Sequence, residues 1–190
     1  MKKNEDRRIR KTKKAMSDAL ASLLLKKPLN NISVREIAEL ADINRGTFYL
    51  HYRDVYDMVE QLQNEIFEKF NEIIDNYEPK SETDSLFPLI VEVFNLLADN
   101  SELAKVLISK NGDAIFLDKL KNLLRDKCLV NVKKLLKIKN EDEFQYYYDY
   151  IIAGCTGLFG SWLAGGMKET PVEMAGYTEE FIMKGADIFK

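Results

Sequence analysis

The 190-residue sequence predicts an all-α protein. Three observations carry this reading. Long stretches rich in Leu, Lys, Glu, Asn and Ile place apolar residues at i, i+3, i+4 and i+7, and no stretch keeps strand alternation over several residues. Only nine glycines and four prolines interrupt the chain. Hydrophobic residues make up 46%, which supports a packed core and argues against wholesale disorder. The expected architecture is an N-terminal three-helix head joined by a long helix to a helical body, about nine helices in all.

Each element has its own signal. Residues 1–8 read as a loose charged arm. A helix follows over Ile9–Lys26, with Met16, Ala19, Leu20, Leu23 and Leu24 on one face. Pro28-Leu29-Asn30-Asn31 breaks it. Ser33 caps the next helix, and Glu36 three residues later completes a capping box. That helix ends near Ala41, Asp42-Ile43 makes the turn, and Asn44 caps the helix after it.

Asp54 caps a long helix over Val55–Tyr77, with Val59, Leu62, Ile66, Phe67, Phe70 and Ile73 among its apolar positions. Glu78–Asp84 is the clearest linker. Helices are expected over Ser85–Asp99, Glu102–Ser109 and Asp113–Leu136, with Asn111-Gly112 as a turn. A long helix over Glu141–Gly165 stops at Gly165-Gly166. The last helix opens on Thr170-Pro171-Val172-Glu173, which supplies a cap, a proline at the first helical position and an acid at the third. Residues 9–54 are expected to form a head domain, with its motif at 33–52, and residues 55–190 a second, larger helical body.

The segment Ser33–Tyr52 carries most of the functional information. Two short helices joined by a tight turn make a helix-turn-helix, the element that places its second helix in the major groove of DNA. On a wheel of 100° per residue, Phe48 and Tyr52 fall inward with Ile43. Gly46, Thr47 and Leu50 fall on the opposite face, flanked by Tyr49 and His51. Arg45 lies in the first turn, where such proteins meet base edges, and can donate a bidentate pair to guanine. Gly46 removes a side chain where the backbone would approach the bases. Leu50 is apolar on a face that should be wet, which suits contact with thymine methyls. Thr47, Tyr49 and His51 offer donors to phosphate or base. Ser33 and the amides beside it can hold a phosphate, and Arg35, Lys11, Lys13 and Lys14 add charge.

The charge distribution agrees. Residues 1–55 hold 13 Lys+Arg against 7 Asp+Glu, a net +6, and residues 56–190 hold 15 against 24, a net −9. A basic head on an acidic body suits a protein whose head alone meets phosphate.

The segment ISVREIAELADINRGTFYLHYRD resembles the helix-turn-helix signature of the TetR family of bacterial transcriptional regulators, a likeness that covers about residues 9–65. The segment YYYDYIIAGCTGLFGSWLAGGMKETPVEM resembles the C-terminal domain of a TetR subgroup common in Gram-positive bacteria. The resemblance implies DNA contacts at Ser33, Arg35, Arg45, Gly46, Thr47, Tyr49, Leu50 and His51, with Asn44 as the cap of the reading helix. Many relatives carry a lysine in the first turn of the fourth helix, near Val55; here only Arg53, just before that helix, stands ready to replace it. The resemblance further implies a homodimeric repressor on a near-palindromic operator, with a body that dimerises and senses an effector.

Dimerisation also has support from the residues. In Glu141–Gly165, Phe144, Tyr147, Tyr148, Ile151, Ile152, Cys155, Phe159 and Trp162 make a bulky stripe suited to the protomer's own core. Tyr150, Gly154, Gly157, Ser161 and Ala164 make a second stripe of mostly small residues, suited to close approach by another helix. Helix-interior glycines cost about 1 kcal/mol each relative to alanine, so several on one face point to tight packing. Phe67, Phe70, Phe94, Phe116, Tyr146 and Tyr147 are candidates to line an effector pocket, for a small molecule or a protein segment of unknown identity.

Other classes fit less well. The chain shows no phosphate-binding glycine loop, nucleophile elbow or metal-ligand cluster, and it has one histidine. No enzyme activity, metal or cofactor is expected. Cys128 and Cys155 lie in apolar helical patterns and read as core thiols. The N-terminus lacks an apolar signal region, and the most apolar run, Ile151–Gly166, is shorter than the roughly 20 residues that span a bilayer. A cytoplasmic location without membrane contact is expected. The alternative is an all-α adaptor that binds only protein, which leaves the Arg45–Gly46–Thr47 face without a purpose.

Overall fold

The computed structural model describes residues 2–77, 85–108, 118–125 and 141–185, and these are helical with no strand among them. The helices are α1 (Lys2–Leu24), α2 (Val34–Leu40), α3 (Arg45–Tyr49), α4 (Val55–Asp75), α5 (Phe87–Asp99), α6 (Ser101–Ile108), α7 (118–125), α8 (Glu141–Ala164) and α9 (Pro171–Gly185). Of the helix expected over 113–136, only α7 lies within the described residues; Cys128 and the Asn111-Gly112 turn lie outside them, as does the 78–84 linker. The chain divides into two compact units, Met1–Ile66 and Phe67–Lys190. The first part of α4, Val55–Ile66, belongs with the head.

In the head, Met16 and Leu20 of α1, Ile37 of α2, Phe48 of α3, and Tyr52 and Met58 beyond it are all buried. Their spacing along α1 and α2 is what the sequence pattern requires. One expectation fails: residues 1–8 are not a loose arm, because α1 is already helical from Lys2. The segment holds no Gly or Pro, and Lys, Arg and Glu all favour helix, so nothing stops α1 from extending toward the N-terminus.

The caps form as expected. Ser33 Oγ accepts the Glu36 backbone N–H at 3.4 Å, and the Glu36 carboxylate accepts the Ser33 backbone N–H at 3.1 Å. Asp54 Oδ1 accepts the Asp57 N–H at 2.9 Å and starts α4. Asp42 makes the turn between α2 and α3 in the left-handed region, at φ 53°. Aspartate tolerates this conformation better than most residues.

In the body, α5 and α9 pack along each other. Phe94 of α5 is fully buried, with its ring 4.6 Å from that of Phe159 and 5.1 Å from Trp162 in an edge-on arrangement. A carboxylate from α9 helps start α5: Glu179 accepts the Phe87 N–H at 3.0 Å and the Ser85 hydroxyl at 2.6 Å. This supplies the cap that Leu86 lacks. Gly166, at φ 85°, lets the chain leave α8, and the Met167 N–H closes back onto the Trp162 carbonyl at 2.9 Å. Thr170 and Glu173 then form the capping box of α9. Among the described residues, no helix is long and apolar enough to cross a membrane.

Candidate functional site

The reading helix α3 is short, five residues from Arg45 to Tyr49. Leu50 is its C-cap, and His51 and Tyr52 lie just beyond it rather than within it. The helix is held by its cap and its core face. Asn44 Oδ1 accepts the Thr47 backbone N–H at 2.7 Å and the Thr47 hydroxyl at 3.0 Å. Phe48 is fully buried, and its ring meets Tyr49 edge-on at 5.6 Å and Tyr52 at the same distance.

The outer face carries the expected residues. Arg45 and Gly46 are exposed, and Leu50 is 82% exposed, an unusual position for a leucine with nothing over it. Tyr49 is 58% exposed. Thr47 and His51 are half-buried. The Thr47 hydroxyl already serves the cap, which leaves its methyl and lone pairs for a ligand. Gly46 has a second reason to be glycine: a Cβ there would lie 3.1 Å from Asn44 Oδ1, crowding the cap. The sequence pattern alone did not reveal this.

The surrounding charges differ in availability. Lys13 is not free for phosphate, as it pairs with Glu65 at 2.8 Å and lies over the Tyr52 ring at 5.8 Å. Lys14 pairs with Asp18 at 3.6 Å, and Arg35 with Glu39 at 2.6 Å, both on the surface, where such pairs hold weakly. Lys11 is exposed. Ser33 is exposed, but its own N–H and hydroxyl are both donated to Glu36. Lys27, 2.6 Å from Glu36, and the Ser33 donors hold that carboxyl down to about 2.

Arg53 is clamped. Its Nη2 and Nε lie 2.8 and 3.1 Å from Asp57 Oδ1, and its backbone N–H donates to Oδ2 at 2.8 Å. These donors hold the Asp57 carboxyl below the usual carboxylate range. Arg53 thus orders the start of α4 while keeping most of its side chain in solvent. Tyr56, which the sequence reading did not single out, is exposed in the first turn of α4. Its signal was present, a phenol one position past Val55, but it was not a cation. Tyr52 differs from Tyr49 entirely. It is buried, its hydroxyl has no partner among the described residues, and burial pushes its phenol up to about 12.

In the body, the small-residue stripe is open. Gly154, Gly157, Ser161 and Ala164 are exposed and Tyr150 is 68% exposed. A Cβ added at Gly154 or Gly157 would meet nothing within 4 Å. The structure adds Tyr177 and Phe181 of α9 to the exposed apolar surface, with Phe181 at 61%. Phe181 and Gly154 line one shallow groove. The sequence reading drew no stripe on α9, where Tyr177 and Phe181 are separated by Thr178, Glu179 and Glu180.

A separate cavity of about 150 Å³, partly open to solvent, lies in the body. Of the aromatics proposed for an effector pocket, Phe70 and Tyr147 line it, together with Val93, Phe144, Ile151 and Cys155. The other described pocket candidates lie elsewhere. Phe94 is sealed in the core against Phe159 and Trp162, Phe67 packs beside Phe70 without reaching the cavity, and Tyr146 is 76% exposed. Phe116 lies outside the described residues. Aromatic identity marks a bulky side chain, and the helical register then decides whether it fills core, lines a gap or meets water.

Comparison with known proteins agrees with this anatomy. Residues 17–62 match the model of bacterial regulatory proteins of the tetR family, and residues 84–184 match a transcriptional regulator C-terminal region of the same family. The chain is 20% identical to the HTH-type transcriptional regulator ArpR of Pseudomonas putida, covering 96% of both chains. Its fold is similar to that of a TetR-family regulator from Syntrophomonas wolfei, with a TM-score of 0.67 at 19% identity, covering 94% of this chain and 96% of that one. It is also similar to the transcriptional regulator FadR from Bacillus subtilis in complex with stearoyl-CoA, with a TM-score of 0.59 at 19% identity, covering 90% and 97%. The C-terminal match alone spans more than half of the 190 residues. The chain belongs to the TetR family of bacterial regulatory proteins and is a DNA-binding transcriptional regulator.

Proposed function

We propose that the protein is a homodimeric repressor that reads a near-palindromic operator with α3 of each head. The observation that carries this reading is the outer face of α3. A capped, core-anchored helix presents Arg45, Gly46 and a bare Leu50 side by side, and that set suits a guanine edge, close backbone approach and a thymine methyl. Tyr49, His51, Arg35 and Lys11 would meet phosphates, which set register without reading sequence. In the first turn of α4, the exposed Tyr56 phenol would offer a further donor to phosphate, beside a helix start ordered by the Arg53 clamp on Asp57.

The open stripe of Tyr150, Gly154, Gly157, Ser161 and Ala164, with Phe181 beside it, is the face through which two copies would join. A two-fold dimer of this kind places its reading helices about one helical turn apart, or somewhat more, on the duplex. The cavity in the body is the effector site. Binding there would favour one of two states of the protein by its differential affinity, and so change DNA affinity. The FadR structure holding stearoyl-CoA shows that a protein of this fold takes a ligand. The dimer acts in the cytoplasm, where the operator lies.

The test is selection of bound duplexes from a random pool, with sedimentation of the free protein. An enriched inverted repeat and a dimer at micromolar concentration are expected. A monomer with no enriched sequence would sink the proposal and favour a protein-binding adaptor.

A further inference from the structure

We propose that the cavity in the body takes a small, uncharged, apolar molecule of about the size of benzene or toluene, held by apolar contact alone. The proposal deepens the effector reading above and rests on it.

The size follows from the space. The cavity measures about 150 Å³. An engineered cavity of about that volume, lined by Leu, Ile and Phe, stays dry and binds benzene or xenon. The walls are of the same kind, with Phe70, Val93, Phe144 and Ile151 among them.

The chemical class follows from what the polar groups on the wall are doing. The Tyr147 hydroxyl donates to the Ile182 carbonyl. The Tyr148 hydroxyl donates to the Lys121 carbonyl at 2.6 Å, and the Thr178 hydroxyl to the Met174 carbonyl at 2.8 Å. Each donated proton is already committed to backbone. Cys155 offers a neutral thiol, since burial pushes it up to about 11. No Lys, Arg, Asp, Glu or His is among the described lining residues. A charge carried into this space would surrender hydration and find no counter-charge among the described lining residues, which is costly. An apolar ligand surrenders nothing of that kind and gains contact with the wall.

The experiment uses the full-length protein with benzene, toluene and ethylbenzene as probes, and benzoate and benzylammonium as charged counterparts of similar shape. Binding is read by calorimetry and by the shift in melting temperature. The neutral probes are expected to bind one per chain. Affinity should rise roughly fourfold per added methylene until the space is filled. The charged pair should give no shift. Val93→Phe should fill the space and abolish the toluene shift, and Cys155→Leu, a gentler filling, should reduce it while leaving the helical signal intact. Should Val93→Phe fail to fold, Cys155→Leu decides.

Benzoate binding as tightly as toluene, no binding by any neutral probe, or unchanged toluene binding in Cys155→Leu would each overturn the proposal. So would tight binding of a long-chain acyl thioester by a protein that ignores all three hydrocarbons. A parallel titration with the selected operator keeps the two readings apart. Operator binding without hydrocarbon binding removes the ligand class and leaves the regulator; hydrocarbon binding without operator binding does the reverse.

Discussion

Arg45 and Tyr49 sit four residues apart on α3, yet their side chains suit different work on DNA. Arg45 is exposed in the first turn with its guanidinium fork available, and a fork matches the paired acceptors of guanine. Tyr49 has its ring braced against Phe48 and offers one hydroxyl, which suits a phosphate oxygen. Arg45→Ala is expected to cost roughly 1–3 kcal/mol of operator binding and to relax preference at one base position. Tyr49→Phe is expected to weaken binding to all duplexes alike, because a phosphate contact carries no sequence information. Titration of both variants against single-base operator mutants separates these outcomes. A change in base preference with Tyr49→Phe and none with Arg45→Ala would reverse the docking of α3.

At the scale of the element, α8 permits a clean test of the dimer. Among the described residues nothing lies within 4 Å of a Cβ built at Gly157, so a larger side chain can start there without a clash against them. Replacing a helix-interior glycine should also favour the helix by about 0.8–1 kcal/mol. Gly157→Leu is therefore expected to keep or raise helical content while breaking the dimer, with native mass spectrometry as the readout. A dimer that persists with unchanged DNA affinity would place the interface on another face. The same helix shows what the sequence makes legible. Its bulky and small stripes follow from a 3.6-residue period, and the caps at Ser33, Asn44, Asp54 and Thr170 follow from local side-chain chemistry, so both could be read in advance. The cavity could not. It depends on how α4, α5, α8 and α9 meet, and of the proposed aromatics among the described residues only Phe70 and Tyr147 reach it. The clamp on Arg53 was equally hidden, because a bare sequence shows a basic residue and an acid four apart without saying that the acid is nearly buried.

For the whole molecule, the separation of charge sets how DNA binding responds to salt. The first 55 residues carry a net +6 and the remainder a net −9, so attraction to phosphate is confined to the head while the body repels it. Only cationic contacts release condensed counterions; the Tyr49 and Tyr56 phenols would hold phosphate without that effect. With Lys11 and Arg35 as the phosphate cations of each head, and Arg53 held by Asp57, a dimer would neutralise about four phosphates, giving a log–log salt slope of roughly −3.6. Lys11 is the informative position, being exposed and free of the pairing that ties Lys13 to Glu65. Lys11→Ala removes one cation from each head, so the slope should become shallower by about 2, with preference among operators unchanged. Fluorescence anisotropy at a series of salt concentrations measures both quantities. A wild-type slope near zero, or a Lys11→Ala slope equal to that of the wild type, would mean that uncharged donors rather than this basic surface hold the backbone.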